Sequence, residues 1–395
     1  MGVLIRKQRG VLNFTNMGKL SIIIFIIALS TSIIDTIWAL YIDSFVHSVA
    51  IVGFISAGLT IISLISFFIF IPIIERTKKS RLFMISLVLY GLTYILFAIN
   101  SEFYIFIILA FILTLIYTLR VTSFGIIIRD KSSEKQITRN EGLMYTFMNS
   151  AWVIGPLIAG YIAEKYGINT IFILAAIFIF LSLALFRVSD IKDANVKIKT
   201  DNNLMKNFKD FFSNKERTLA YFLSGGGNLW WILVYIFMPL YIIRSSLDDL
   251  WVGYFMFAAA IPLILSEYKF SKLASKYGFK KMFKIGFAIP LIIAIICFFV
   301  SNIYVLMGLV VLASFGIAMI EPTTEAYFFK MIKKKDESRF FGPFNTSIDV
   351  NQFAGKIIAS TVLIFLPFRY VFLVFAFFMF ILFLLSVKIR DIKKK

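Results

Sequence analysis

The chain has 395 residues, 60% of them hydrophobic and 17% aromatic, with a mean hydropathy of +0.88. A water-soluble domain with that apolar load has too little polar surface to cover itself, so lipid is the expected solvent. The formal net charge of +19 would suit nucleic acid, but all except five of the 41 Lys and Arg fall at the termini or in every second connection. That is the bias of cytoplasmic loops, so no nucleic-acid partner is expected.

The five exceptions are Lys165, Arg244 and Arg369 in the other connections, and Arg120 and Lys356 inside apolar runs. The pattern puts both termini in the cytoplasm of a multi-pass cell-membrane protein and requires an even number of crossings. The runs are near the length a helix needs to cross roughly 30 Å of hydrocarbon, and they do not alternate as barrel strands do.

In chain order, helix 1 is predicted over 20–42, with Asp35 inside it. The run follows Arg6, Lys7, Arg9 and Lys19 as in a signal peptide, but it matches helix 7 in the repeat described below and is read as a span. Helix 2 covers 50–73, helix 3 covers 82–99, helix 4 covers 103–128 with Arg120, helix 5 covers 143–164 with Gly155 and Pro156, and helix 6 covers 168–187. Residues 188–217 are polar, rich in Lys and Asn, and read as a cytoplasmic linker. Helices 7 to 12 follow near 219–243, 250–270, 282–300, 303–328, 344–365 and 369–388.

The two halves superpose without a gap at a shift of 200. Leu40-Tyr41-Ile42 falls on Leu240-Tyr241-Ile242, Gly53 on Gly253, Tyr104 on Tyr304, Arg139 on Arg339, and Gly155 on Gly355. The reading is an all-α membrane protein of twelve transmembrane helices, in two six-helix halves related by a 200-residue internal repeat. The domains are then 1–187, the linker 188–217, and 218–395.

Cys297 is the sole cysteine and lies in an apolar run, so no disulfide or thiolate metal site can form within one chain. There is no Walker loop, metal-ligand cluster or Ser-His-Asp set, and the one histidine, His47, lies in an outer loop. Neither enzyme nor cofactor is expected.

The loop after helix 2, Glu75-Arg76-Thr77-Lys78-Lys79-Ser80-Arg81, resembles the G-x-L-a-D-R-x-G-R-K motif of the major facilitator superfamily. Glu75 stands for its Asp, Arg76 for its Arg and Lys79 for the next basic residue, while Ile71 and Lys78 replace its glycines. A second copy, Ser271 to Lys280, keeps Leu273, Ala274, the basic Lys276 and Gly278 but has Ser275 for the acid. A third runs from Gly160 to Gly167. Gly155-Pro156-Leu157-Ile158-Ala159-Gly160 resembles the antiporter motif G-x-x-x-G-P-x-x-G-G of the drug/proton antiporter group, with Ala151 and Ala159 for two of the glycines.

The resemblance covers nearly the whole chain and implies alternating access between two six-helix bundles. It also implies a conformational switch built from Glu75, Arg76, Lys79, Arg81, Lys276, Gly155 and Pro156. Basic loop residues serve topology, and small residues serve helix packing, whether or not they switch anything.

Ionisable groups inside spans are candidates for function, because lipid exposure costs a few kcal/mol at least. Asp35 lies about 10 Å from the outer end of helix 1. Ala28, Thr31 and Asp35 share one helical face, and their repeat partners Asn228, Trp231 and Tyr235 share a face of helix 7. The resemblance implies that both helices line a central cavity, where this set would suit a cation. Arg120 and Glu321 lie at nearly equal depth on helices 4 and 10, and an ion pair between them is expected. Glu325, one turn on, lies near the helix end and can snorkel to water. Lys356 on helix 11 is expected to pair with Asp349 or Glu321. Glu267 is assigned to Lys269 and Lys272, and Gly225-Gly226-Gly227 permits helix 7 to bend.

The expected function is secondary active transport, with proton-coupled efflux of a small lipophilic or cationic compound. Asp35, Glu321 and Glu325 are the candidate proton-coupling acids. Thr31, Asp35, Arg120, Asn228, Trp231, Tyr235 and Lys356 are the candidate cavity residues. The alternative is a proton symporter importing a sugar or organic acid, with Arg120 or Lys356 holding an anion. A sensor or scaffold without transport has no soluble domain to signal with. The expected partners are a small-molecule substrate, protons and the lipid bilayer, with the chain a monomer. The excess of Ile, Phe and Lys points to a prokaryotic source.

Overall fold

A computed structural model describes residues 5–8, 11–131, 137–191, 204–333 and 336–389. Among the described residues, twelve helices are long and apolar enough to cross a membrane. Helices 1 to 6 are Asn16–Val46, Val49–Arg76, Lys79–Ile99, Phe103–Asp130, Ile137–Tyr166 and Ile168–Val188. Helix 7 is the span Lys215–Arg244, and helices 8 to 10 are Asp249–Tyr277, Phe279–Phe299 and Ile303–Met331. Helix 11 is built from Glu337–Asn345 and Ser347–Phe365, and helix 12 is Tyr370–Lys388. Large apolar side chains such as Ile69, Ile99, Ile108, Phe299 and Phe365 stand exposed, as they do where lipid is the solvent.

The duplication survives in the backbone. Helices 3 and 9 begin and end 200 residues apart. Each closes the same way: the Asn100 amide returns to the Phe97 carbonyl and the Val300 amide to the Cys297 carbonyl, both at 3.3 Å. Helix 3 packs on helices 4 and 6, and helix 9 packs on helices 10 and 12.

Four features depart from the sequence reading. Residues 5–8 and 11–14 form a short antiparallel strand pair ahead of helix 1, with Ile5 opposite Phe14 and Gln8 opposite Val11. Helix 7 is interrupted at Gly225 and contains a π-helical turn, Leu233–Phe237. Helix 11 starts earlier than expected and breaks at Thr346, whose hydroxyl donates to the Pro343 carbonyl at 2.7 Å. The linker carries a helix, Leu204–Phe212, and its residues 192–203 lie outside the described residues. That short helix buries Phe211 among Tyr221, Phe328 and Phe340. Arg339 holds it by donating to Asn207 at 2.8 Å and by an ion pair with Asp210.

The chain divides into two compact units. The first comprises Met1–Tyr41, Ile62–Lys199 and Asp248–Phe257. Its aromatic core joins helices 1, 3, 4 and 6: Tyr41 lies 4.6 Å from Phe172 between ring centroids and donates its hydroxyl to the Phe97 carbonyl at 3.0 Å. The second comprises Ile42–Ile61, Thr200–Leu247 and Ala258–Lys395. There Phe328 stacks on Phe344 at 3.9 Å, Phe283 of helix 9 is buried 5.7 Å from the Tyr327 ring of helix 10, and Phe287 is buried against Gly226 of helix 7.

Each unit contains a close helix crossing, and these two are repeat equivalents. In the first, Gly160 of helix 5 meets Gly253 of helix 8, so a Cβ on Gly160 would lie 2.9 Å from the Gly253 Cα and 3.0 Å from the Asp249 carbonyl oxygen. In the second, Gly53 of helix 2 meets Ser360 of helix 11. At the Gly160–Gly253 crossing, backbone against backbone leaves no side-chain end to yield. Gly160→Leu is expected to cost about 1–3 kcal/mol through overpacking, seen as a lower midpoint of thermal unfolding in detergent. Gly308→Leu, into open space, is expected to leave the midpoint within the roughly 0.5 kcal/mol scatter of surface changes.

Candidate functional site

In the first unit, helix 1 is apolar and packed along its length. Asp35 is the one exposed residue between Met17 and Asp43. Thr31, one turn before it, is half-buried and turns its hydroxyl back onto the Ile27 and Ala28 carbonyls at 3.1 and 3.0 Å. Ala28 is buried. So of the three residues predicted on this face, Asp35 alone is exposed, and it takes part in further polar interactions there.

Arg120 of helix 4 is 5% exposed. Its guanidinium lies 4.9 Å from the Tyr90 ring and 5.2 Å from the Tyr117 ring, and its Nε has no hydrogen-bond partner. Tyr90 and Tyr94, one turn apart on helix 3, meet edge to face at 4.9 Å. Both Asp35 and Arg120 are near enough to act electrostatically on these two tyrosines. Helices 3 and 4 therefore bring one guanidinium and three phenols together, and the Asp35 carboxylate of helix 1 acts on two of those phenols through space.

Gly155 of helix 5 packs on Ser32 and the Ile33 amide of helix 1, with no room for a Cβ. With Gly160 on Gly253, the antiporter-like stretch makes two close helix contacts, and Pro156 sits inside the helix between them.

In the second unit, the predicted face of helix 7 is present. Asn228, Trp231 and Tyr235 are all half-buried, and the Trp231 and Tyr235 rings lie 5.4 Å apart. The Trp231 indole N–H donates to Glu321 Oε1. Gly227 makes room for this, since a Cβ there would come 3.3 Å from Glu321 Cγ. Depth along the helices pairs Glu321 with Arg120; within its own unit Glu321 accepts from Trp231, and Glu267 of helix 8 is near enough to act on it electrostatically. Sequence reasoning gives Glu267 to nearby lysines; its signal is simply an acid inside a span. Glu325 is exposed.

Lys356 is 8% exposed, near the middle of helix 11. Its ammonium donates to Thr60 Oγ1 at 2.7 Å, to Gln352 Oε1 at 3.2 Å and to the Ser56 carbonyl at 3.5 Å. Asp349, expected as a candidate partner, lies two turns back on the same helix and acts on Lys356 through space.

Of the switch residues, Arg76, Arg81 and Lys276 are exposed. Lys79 is buried, its ammonium donating to the Thr77 carbonyl at 3.1 Å. The Lys276 ammonium lies 5.1 Å from the Tyr277 ring. The Glu75 side chain lies outside what is described.

Thr60→Val removes the nearest acceptor of the buried Lys356 ammonium and is expected to cost about 1.5–3 kcal/mol, as for hydrogen bonds to charged groups. Adding Lys356→Met should recover much of that, because an apolar pair of similar volume replaces a charge and its acceptor. Thermal unfolding of the two variants decides it: a double variant less stable than Thr60→Val alone would refute the pairing.

Comparisons with known proteins agree on the fold. The family model described as Major Facilitator Superfamily matches residues 20–296 and 252–395. A multi-drug resistance efflux pump PmrA homolog from Lactococcus lactis subsp. lactis (strain IL1403) is 23% identical over 239 residues, and the match spans 58% of this chain and 58% of that protein. The crystal structure of the nucleoside transporter NupG superposes with a TM-score of 0.76 at 12% identity, covering 95% of this chain and 100% of NupG. A POT family transporter crystallised with 5-aminolevulinic acid gives 0.76 at 13% identity, covering 94% of each chain. Twelve apolar helices, a duplicated half and a family match over nearly the whole length lead to one conclusion: the chain belongs to the Major Facilitator Superfamily, and is a multi-pass membrane transporter rather than an enzyme.

Proposed function

We propose that this transporter exports a small lipophilic or cationic compound in exchange for protons, by alternating access, as a monomer with both termini in the cytoplasm. The observation that carries the reading is Asp35, a carboxylate that is the one exposed residue of helix 1 between Met17 and Asp43. A bound cation stabilises the ionised acid and a proton neutralises it, so each displaces the other. The partial likeness to a multi-drug efflux pump supports the direction. Glu321 and Glu267, two acids inside spans and near enough to act on each other, supply a second place for the coupling proton to reside.

The second reading is proton-coupled import of a sugar or organic acid. It is favoured by the two buried cations, Arg120 and Lys356. The test uses inside-out vesicles with an established pH gradient and a pH-sensitive dye. Proton release is expected on adding a lipophilic cation, and is expected to vanish in Asp35→Asn while the protein still folds and inserts. A response to organic acids or sugars, with silence to cations, would replace export by import. Wild-type proton exchange in Asp35→Asn would remove Asp35 from coupling.

A further inference from the structure

Arg244, with Lys165 and Arg369, is one of the basic residues set against the topological bias, in a connection where Lys and Arg are otherwise missing. It closes helix 7 and gives one N–H to Asp43 Oδ1, near the end of helix 1, at 2.9 Å. A guanidinium carries five N–H donors, and the Arg244 side chain is 41% exposed, so most of its fork is left over after that ion pair. Arg244 lines a cavity of about 320 Å³ in the second unit, whose wall also holds His47, Ser48, Tyr241, Leu366 and Phe368. Among the described residues that line it there is no Asp or Glu.

The cavity lies where the duplicated packing has thinned. In the first unit Tyr41 is buried, and the ring centroids of Phe97, Phe106 and Phe172 lie 5.8, 5.7 and 4.6 Å from its own. At the shift of 200 those three become Cys297, Leu306 and Phe372. Two rings are lost, and Tyr241 instead stacks on Phe368 at 4.2 Å, 15° from parallel. The polar wall is no copy either: Arg244 answers to Ser44, His47 to Leu247 and Ser48 to Asp248.

We propose that this cavity binds an anionic amphiphile, with its carboxylate or phosphate on Arg244 and its apolar body against the Tyr241–Phe368 stack and Leu366. A guanidinium fork matches the oxygens of either anion, and Ser48 adds a hydroxyl to the same wall. A cation finds no acid in the wall, and a neutral ligand gains only the apolar part. The volume is at the lower end of the roughly 300–1,000 Å³ of small-molecule sites, so it admits a small acid or the head of a larger molecule. Leu366 belongs to the wall and is 42% exposed, next to Phe365 at 76%, so the cavity borders the lipid-facing surface. An anionic lipid and a soluble alkyl or aryl acid share this chemistry. Asp43 holds the guanidinium in place and at the same time opposes a bound anion by its like charge. The site involves neither Asp35 nor proton coupling, so it stands or falls apart from the export reading.

Binding to the purified full-length protein in detergent tests this without requiring transport. Calorimetric titration compares 4-phenylbutyrate with 4-phenylbutyramide, the same body without the charge. Native mass spectrometry compares dioctanoyl phosphatidylglycerol with dioctanoylglycerol, the same chains without the phosphate. In at least one arm the anion is expected to bind about ten-fold or more tightly than its neutral counterpart, and the arm that responds identifies the source. Arg244→Gln is expected to erase that preference, and Leu366→Trp, at the exposed rim, to weaken the anion by filling the cavity. Asp43→Asn removes the opposing charge and keeps an acceptor for the guanidinium, so it is expected to tighten the anion by about two- to five-fold. A purely structural ion pair predicts the reverse, a lower unfolding midpoint in both charge variants with no gain in affinity. The site is overturned if neither arm shows a preference, or if the preference survives in a folded Arg244→Gln. Should Arg244→Gln fail to fold, anion affinity unchanged in both Leu366→Trp and Asp43→Asn overturns it equally.

Discussion

A charged group placed in an apolar span costs about 2.5–3.5 kcal/mol on insertion scales before anything compensates it. Each such group in this chain is therefore a statement about its surroundings. Lys356 is tolerable because a threonine hydroxyl, a glutamine carbonyl and a backbone carbonyl surround its ammonium. Arg120 is tolerable because tyrosine rings lie against its guanidinium. Glu321 accepts an indole N–H, packed so close to Gly227 that a Cβ there would come 3.3 Å from its Cγ. Asp35 differs in kind, since it is the one exposed side chain on its stretch of helix.

The scaffold is duplicated and the chemistry is not. Helices 3 and 9 share boundaries at a shift of 200, and the Gly160–Gly253 and Gly53–Ser360 crossings are images of each other. At the same shift Asp35 answers to Tyr235, Arg120 to Ile320, Glu321 to Val121 and Lys356 to Pro156. A copied half supplies packing for both units, because packing depends on size and period. The ionisable groups set into the spans stand where the copies have diverged.

The same distinction explains what could be read in advance. Spans, topology bias and the repeat register follow from hydropathy, charge and spacing, and the twelve helices lie where the sequence placed them, within a few residues at most ends. The depth of Arg120, Glu321 and Lys356 along their helices was legible too. What was not legible is which way each side chain turns. One residue rotates a helical position by about 100°, so a partner assigned by depth alone can lie on another face. Within its own unit Glu321 meets Trp231, and Lys356 meets Thr60. The helix Leu204–Phe212 was missed because it is short and set in a polar, Lys- and Asn-rich segment, and the burial of Phe211 depends on side chains more than a hundred residues away.

Cys297, the sole thiol, is fully buried in helix 9. Water-borne thiol reagents meet no accessible target on the native chain, so the molecule is close to a blank for site-directed labelling without any substitution. The repeat then offers matched positions for paired probes. Ser101 and Ser301 begin equivalent connections, both exposed, and a cysteine at each would place two reporters at symmetry-related points. The distance between them could then be followed through a transport cycle by spectroscopy on an otherwise unmodified protein.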